Sequence, residues 1–540
     1  MTDPDSPLSI NDYKLAQGLY SLVPAKGPVS FSSQQWRAFY IAQKLDLASS
    51  KRILIVGAGV AGVTLALALN KRAEKESARV EIVLIDAQAE PLQTTATASH
   101  RHTHPTVNFW PRHLEMYPFS STTVFPFLNW HSDNTENVIQ QLKQDEEYGL
   151  LISGGLEKLR FENLSVLSDL VPNTPEEGWY PEITKSGVKQ AVFGGLPTDE
   201  SNLYNCVVLC TGFGEERLTY YSQAKQYWQT DNVKNVRTAH HQYNSQIDVY
   251  GTGDGALIDF GRLASKQLNV PDPQEYNLAL HFIAHFTGRS FSNIRPFGDN
   301  FRSGNEKLLF TTIEEDHASA DGTKTENQVI FDKIKGVREL RRISDEFKAE
   351  YFAETNRIDK LKLFGKDVSP FESNSSVVNQ LLFQAIDSIA GEPNYEQKEF
   401  DSNAGTKEPT QYLRIGPIMD VGFLPHNIDN QRNKADARFR LEESNLFDIF
   451  GYSFNAEYFE KIVRIYIERF FPDATFEIEI NPEDSDNLKP SKMRVRLFLP
   501  EAESKYEKTR LELGGFDSHL YGSEIEYFKN ADFETDLVFR

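Results

Sequence analysis

Residues 51–88, KRILIVGAGVAGVTLALALNKRAEKESARVEIVLIDAQ, constrain the fold of this chain more than any other segment. Ile53–Val56 is a short, wholly apolar run of the kind that forms a strand buried on both faces. Gly57-Ala58-Gly59-Val60-Ala61-Gly62 ends it, and apolar residues at helical spacing continue to about Glu76. A second apolar run, Val80–Ile85, stops at Asp86. Strand, glycine turn, helix, strand and acid in that order describe a βαβ unit with G-x-G-x-x-G spacing. Each glycine meets a separate demand. The first allows the tight turn, the second lets backbone approach a pyrophosphate, and the third lets helix pack closely on strand. The helix start offers free N–H groups and a positive dipole end to phosphate. Asp86, 24 residues after Gly62, is placed to accept hydrogen bonds from adenosine ribose hydroxyls and to repel a 2′-phosphate. The segment reads as a dinucleotide site. FAD is the expected ligand, although this motif alone does not separate FAD from NAD.

A chain of 540 residues is too long for one hydrophobic core, so two or three domains are expected. Its 57 basic and 78 acidic residues give a net charge of −21, which argues against a nucleic-acid or anionic-membrane partner and reads as solubility. Cys206 and Cys210 lie four apart in one apolar run, on one face of a strand but too distant for a disulfide. No further thiol exists to complete a zinc site. The start, MTDPDSPLSI, lacks the basic and apolar regions of a signal peptide, and no apolar stretch is long enough to span a bilayer. A cytoplasmic location is the expectation.

Four regions follow from the patterning. Residues 1–50 read as a polar arm and a helix, with Trp36, Phe39, Tyr40 and Leu45 facing inward. Residues 51–265 form an α/β, Rossmann-like domain with a parallel sheet and an excursion near 105–150. Helical pattern in the excursion falls on NVIQQLKQDEEYGLL, and further strands are expected at LSVLSDL, VKQAVFG, Val207–Cys210 and Ile247–Tyr250. Residues 266–390 read as mainly helical. Residues 391–540 form an α+β region with strands at TFEIEI and MRVRLFL, and the C-terminal half offers a surface for a protein partner.

Two later motifs carry a family resemblance. Cys206-Val-Val-Leu-Cys210-Thr211-Gly212 resembles the "A-T-G" strand of two-dinucleotide flavoproteins, with Cys210 where alanine is usual. Gln246-Ile-Asp-Val-Tyr-Gly-Thr-Gly253-Asp254-Gly255 resembles their "G-D" motif. The resemblance implies that Thr211 and Gly212 end a strand under the FAD. It also implies that Asp254 bonds the ribityl chain, with Gly253 and Gly255 beside the pyrophosphate. The spacing between the two motifs is too short for the intact NAD domain of those enzymes. Gly251-x-Gly253-x-x-Ala256 has a rival reading, a second Rossmann unit for NAD(P)H, but no strand pattern follows within the usual 20 residues. SSQQWRA, HPTVNFWP, TGFGEE and TGDGALID together resemble a little-characterised bacterial group of FAD- or NAD(P)-dependent oxidoreductases.

His100-Arg101-His102-Thr-His104 and Trp110 follow the second strand, where flavoproteins of this kind approach the cofactor. His102 and His104 are the weak catalytic candidates, and Arg101 is a candidate phosphate partner. A three-histidine metal site lacks a nearby carboxylate or cysteine, so no metal is expected. His281 and His285 share a helix face without the glutamate of a zincin. His240, His241, Tyr220, Tyr221 and Arg414 are further polar positions without a motif. The function expected is an FAD-dependent oxidoreductase that moves a hydride from a small organic substrate to flavin, with NAD(P)H a candidate electron donor. The alternatives are a nucleotide-binding sensor or scaffold without turnover, and an NAD(P)-linked enzyme without flavin.

Overall fold

The computed structural model describes residues 10–22, 30–96, 98, 101–105, 107, 123, 125–172, 178–185, 188–190, 203–211, 233, 246–251, 253–265, 352, 355–365, 368–371, 375–390, 393–397, 449–450, 475–480, 493–498, 525–529 and 534–539. The chain begins with β1 (Lys14–Ala16), β2 (Leu19–Ser21), α1 (Phe31–Lys44), β3 (Arg52–Val56), α2 (Val60–Lys75), β4 (Glu81–Ile85) and the short α3 (Gln93–Ala96). β5 (His102–Thr103), β6 (Asp133–Asn134), α4 (Thr135–Lys143), α5 (Glu146–Ser153) and β7 (Leu159–Glu162) follow. An antiparallel meander comes next, β8 (Ser165–Pro172), β9 (Trp179–Lys185) and β10 (Val188–Gln190), and then β11 (Cys206–Leu209).

The first sheet has the order β1-β2-β11-β3-β4-β7, with all strands parallel except β1. Its apolar runs are buried on both faces, and the two-residue alternation of a strand sorts them. Ile53, Ile55, Ile82, Leu84 and Val208 enter a core with α1 and α2. Leu54, Val56, Val83, Ile85, Val207 and Leu209 face the other way, against Leu167, Leu170, Trp179 and Ile183 of the meander. The segment read as a polar arm therefore supplies two strands, and β2 takes the position beside β11. Cationic side chains cap the helix ends. Arg72 Nη1 donates to the carbonyls of Ala42, Gln43 and Leu45, and Lys158 Nζ to those of Ala73 and Ala78.

Trp36, Phe39, Tyr40 and Leu45 are all buried, as the helical pattern predicts. Phe39 and Trp36 meet Phe125 with ring centroids 5.3 and 5.1 Å apart, and Trp130 Nε1 donates to Gln35 Oε1 at 2.7 Å. The excursion is thereby fastened to α1. Its single expected helix is two. Asp145 breaks it by accepting the Glu147 N–H as the cap of α5 and the Leu128 N–H at 2.8 Å.

A second parallel sheet begins with β12 (Ile247–Tyr250) and α6 (Asp254–Ala264). It continues through α7 (Thr355–Ile358), β13 (Leu361–Gly365), α8 (Val377–Asp387) and β14 (Tyr395–Gln397), in the order β12-β13-β14. α6 and α8 share a core in which Phe260 lies 5.1 Å from Phe383. β12 thus pairs within this sheet and not within the first one, whereas the reading of residues 51–265 as one domain placed it in a single parallel sheet with β3, β4 and β11. The C-terminal strands β15 (Thr475–Ile480), β16 (Met493–Phe498), β17 (Ile525–Lys529) and β18 (Glu534–Phe539) form an antiparallel sheet. Its register sets Glu477 opposite Arg496 and Glu479 opposite Arg494.

Candidate functional site

The three glycines after β3 are required for three different reasons. Gly57 has φ +101°, and a Cβ there would lie 2.5 Å from the Cys210 carbonyl oxygen. Its N–H donates to the Ile85 carbonyl at 2.8 Å. A Cβ on Gly62 would fall 1.8 Å from the Gly57 oxygen, so α2 can approach the strand only without a side chain here. Gly59 is unlike both. It is the N-cap of α2, with no side chain capping the helix, and a Cβ on it would meet nothing within 4 Å. Among the described residues, the space over the helix N-terminus is open where backbone N–H groups face outward.

Asp86 is held beside this turn. Its carboxylate accepts the N–H groups of Ala58 and Gln88, and its backbone is pinned by the Glu162 carbonyl and the Ser165 N–H. Val60 and Ala61 are buried in the first turn of α2, and the Ala58 carbonyl accepts the Leu92 N–H at 2.8 Å. β11 closes the other side. The Cys210 N–H donates to the Val56 carbonyl at 2.7 Å, and Thr211 is exposed directly beyond it. Gly57–Gly62, Asp86 and Thr211 therefore gather at the C-terminal ends of β3, β4 and β11, while Gly212 lies outside the described residues. Cys206 and Cys210 are buried thiols, and burial raises both above the ordinary range.

Of the histidines, His102 pairs through β5 with Asn134. His104 is fully buried, its Nδ1 accepts the Val107 N–H at 3.2 Å, and burial pushes the imidazole down to about 3. It is neutral at physiological pH and carries its proton on Nε2. Because the folded-state value lies below the ordinary 6.5, His104 contributes stability above that pH and loses it as pH falls toward 3. We expect a slope of up to about 1.4 kcal/mol per pH unit in that window from this group. Urea unfolding from pH 4 to 7 of wild type and His104→Gln checks it, and equal slopes would refute it. Arg101 is not placed to bind phosphate. Both it and Asp259 are wholly buried and form a two-pronged ion pair. His100, Trp110, Tyr220, Tyr221, His240, His241, His281, His285 and Arg414 lie outside the described residues.

Residues 54–149 match the family model for FAD-NAD(P)-binding. This segment is an FAD/NAD(P)-binding domain. The match contains the glycine turn, Asp86 and the histidine segment, so the dinucleotide bound there is FAD or NAD(P). No curated protein and no solved structure matches the chain. Among the described residues, no three His, Cys, Asp or Glu side chains group to hold a metal, and no helix is long and apolar enough to cross a membrane.

Gly253, Asp254 and Gly255 lie outside the sheet of the FAD/NAD(P)-binding domain, at the end of β12. Asp254 is buried. Its Oδ1 accepts Ser376 N–H at 2.8 Å, Ser376 Oγ at 2.9 Å and Asn379 Nδ2 at 2.9 Å. Desolvation raises its pKa against those hydrogen bonds. The Oδ1 oxygen is thus committed to the head of α8, on a neighbouring helix. The turn itself repeats the first one. Gly251 has φ +121° and donates to the Phe364 carbonyl at 2.8 Å, and Gly253 is an N-cap of α6 with no side-chain hydrogen bond. The missing second strand is β13, more than 100 residues downstream of β12. Only the shared G-x-G spacing signals this in the sequence.

Proposed function

We propose that this chain is an FAD-dependent oxidoreductase of a small organic substrate, with hydride transfer to flavin. The observation that carries the reading is the bare N-terminus of α2, capped by Gly59, with no described residue within 4 Å of where its Cβ would lie, and flanked by Asp86. These residues fit the group. The N–H groups of the first turn of α2 would hold the pyrophosphate. Asp86 would take the ribose hydroxyls, since each carboxylate oxygen that already accepts one backbone N–H retains acceptor capacity. Those two bonds fix the carboxylate before any ligand arrives. Bound flavin would supply a two-electron acceptor.

A second reading concerns the electron donor, and β13 favours it. With β13 beside β12, the Gly251–Ala256 turn has the strand partner that a nicotinamide dinucleotide site requires. The registers align the two units: Val56 pairs with Ile85 as Tyr250 pairs with Phe364, so Gly365 occupies the place of Asp86. Glycine has no carboxylate to repel a 2′-phosphate, and Lys366 follows it in sequence. The reading is therefore NADPH in preference to NADH. The test is a visible spectrum of purified protein, recorded anaerobically before and after NADH and then NADPH. A flavin spectrum bleached faster by NADPH is expected. Flavin that neither nucleotide bleaches favours an organic donor or a sensor. Protein that stays colourless after incubation with FAD refutes the flavin reading and leaves an NAD(P)-linked protein.

A further inference from the structure

We propose that Arg101 and Asp259 are positioning residues that set the orientation of the second glycine turn relative to the first, an inference resting on the reading of both turns as nucleotide sites. Arg101 Nη1 donates to Asp259 Oδ1 at 2.7 Å and Nη2 to Oδ2 at 3.2 Å, and neither side chain has exposed surface. Arg262, one turn along α6, adds a contact to Oδ1 at 3.1 Å.

Each end of the pair is rigidly tied to one unit. The Arg101 carbonyl accepts both the N–H and the hydroxyl of Thr135, the first residue of α4. Four residues on, the Pro105 carbonyl accepts the Ser32 hydroxyl from the first turn of α1. Val107 then enters the core of the second sheet. Asp259 stands six residues past the N-cap Gly253, roughly 9 Å along α6. A change in how its carboxylate is gripped therefore tilts the turn at the head of the helix.

Apolar contact such as that of Val107 is non-directional and permits α6 to slide or rotate. A guanidinium fork on a carboxylate fixes distance and angle together. Buried ion pairs add little net stability against apolar replacements of similar volume, and their better-attested use is to select one arrangement among several. Electron transfer between two bound nucleotides needs such selection, because a 1 Å misplacement costs on the order of a hundredfold in rate.

The experiment compares wild type with Arg101→Met/Asp259→Leu and with Arg101→Lys, which keeps the charge and loses the fork. The readouts are the thermal midpoint, FAD affinity, amide hydrogen exchange of residues 254–264 without nucleotide, and the rate of flavin bleaching at saturating NADPH. The proposal expects folded variants with FAD affinity within threefold of wild type, faster exchange in α6, and bleaching slowed at least tenfold. Bleaching within twofold of wild type in a variant that has lost the fork overturns it, and Arg101→Lys supplies that answer if the double variant does not fold. Wild-type flavin that neither nucleotide bleaches overturns the two-site reading itself and the proposal with it, before any variant is made.

Discussion

Gly62→Ala is expected to lose dinucleotide binding by driving α2 off the sheet, whereas Gly59→Ala weakens that binding roughly ten- to a hundredfold in a protein that remains folded. The contrast follows from what each methyl group meets. On Gly62 it would lie 1.8 Å from the Gly57 carbonyl oxygen, 3.0 Å from the Gly57 carbonyl carbon and 3.3 Å from Cys210 Cβ. The first two are backbone atoms at the end of β3, which is paired on both sides. Relief requires α2 to move off the sheet, and α2 carries wholly buried Val63, Leu65, Ala66, Leu67 and Leu69. We expect a loss above about 4 kcal/mol, in the range reserved for overpacking of a rigid core. Gly59 has an extended backbone that alanine adopts freely, and its methyl would meet nothing within 4 Å. Alanine is a poorer N-cap than glycine, so the fold loses no more than about 1 kcal/mol. The methyl does occupy the approach of the pyrophosphate. Each charged hydrogen bond lost is worth about 1.5–3 kcal/mol, or roughly ten- to a hundredfold in affinity. Urea unfolding and FAD titration of both variants measure the two effects separately. A Gly59→Ala protein that binds FAD like wild type would remove the turn from the binding site.

Arg101→Met alone destabilises the protein more than Arg101→Met/Asp259→Leu does. Removing one partner leaves the Asp259 carboxylate at zero exposure with its principal fork gone. Arg262 still bonds Oδ1, but at 3.1 Å and from the same helix. Breaking a buried pair in this way costs about 3–5 kcal/mol, while exchanging both ends for apolar groups is often neutral. The single variant therefore unfolds at markedly lower urea, and adding Asp259→Leu restores part of the loss, limited by the carboxylate contact that buried Arg262 then gives up. Adding Asp259→Leu alone completes a double-mutant cycle, and the sign of its coupling energy is the diagnostic quantity. A single variant within 1 kcal/mol of wild type would mean that water reaches the pair.

The parts of this fold legible in the sequence are those whose cause is local. Ile53–Val56, the turn at Gly57–Gly62 and the strand ending before Asp86 announce themselves through apolar runs and glycine spacing, and the structure has β3, α2 and β4 there. TFEIEI and MRVRLF alternate polar and apolar residues, and both are strands. β2 carries too few residues to show any period, and what makes it a strand is its distant partner β11. Leu361–Gly365 falls in the region read as mainly helical, because the five residues LKLFG are too few for their pattern to distinguish helix from strand. β9 holds Pro181, which argues against a strand unless the residue sits where no ladder donor is needed. At the site, Gly57–Gly62 and Asp86 were legible because a glycine signature states its own geometry. The roles of Asp254 and Arg101 were not. Both depend on side chains more than 100 positions away, Asn379 in one case and Asp259 in the other.

The insertion of β11 between β2 and β3 also bears on how the chain is made. A ribosome delivers β2 and β3 early, and the strand that separates them emerges roughly 150 residues later, about 8–30 s at ordinary elongation rates. Through that interval the nascent sheet has a missing middle, with two apolar edges that can pair with each other or with a neighbouring chain. The carbonyls and N–H groups at the head of β3 acquire their second partner only when Cys206–Cys210 slots in. The nucleotide-binding end of the sheet therefore cannot be completed sequentially from the N-terminus, and it closes only after β11 has left the ribosome.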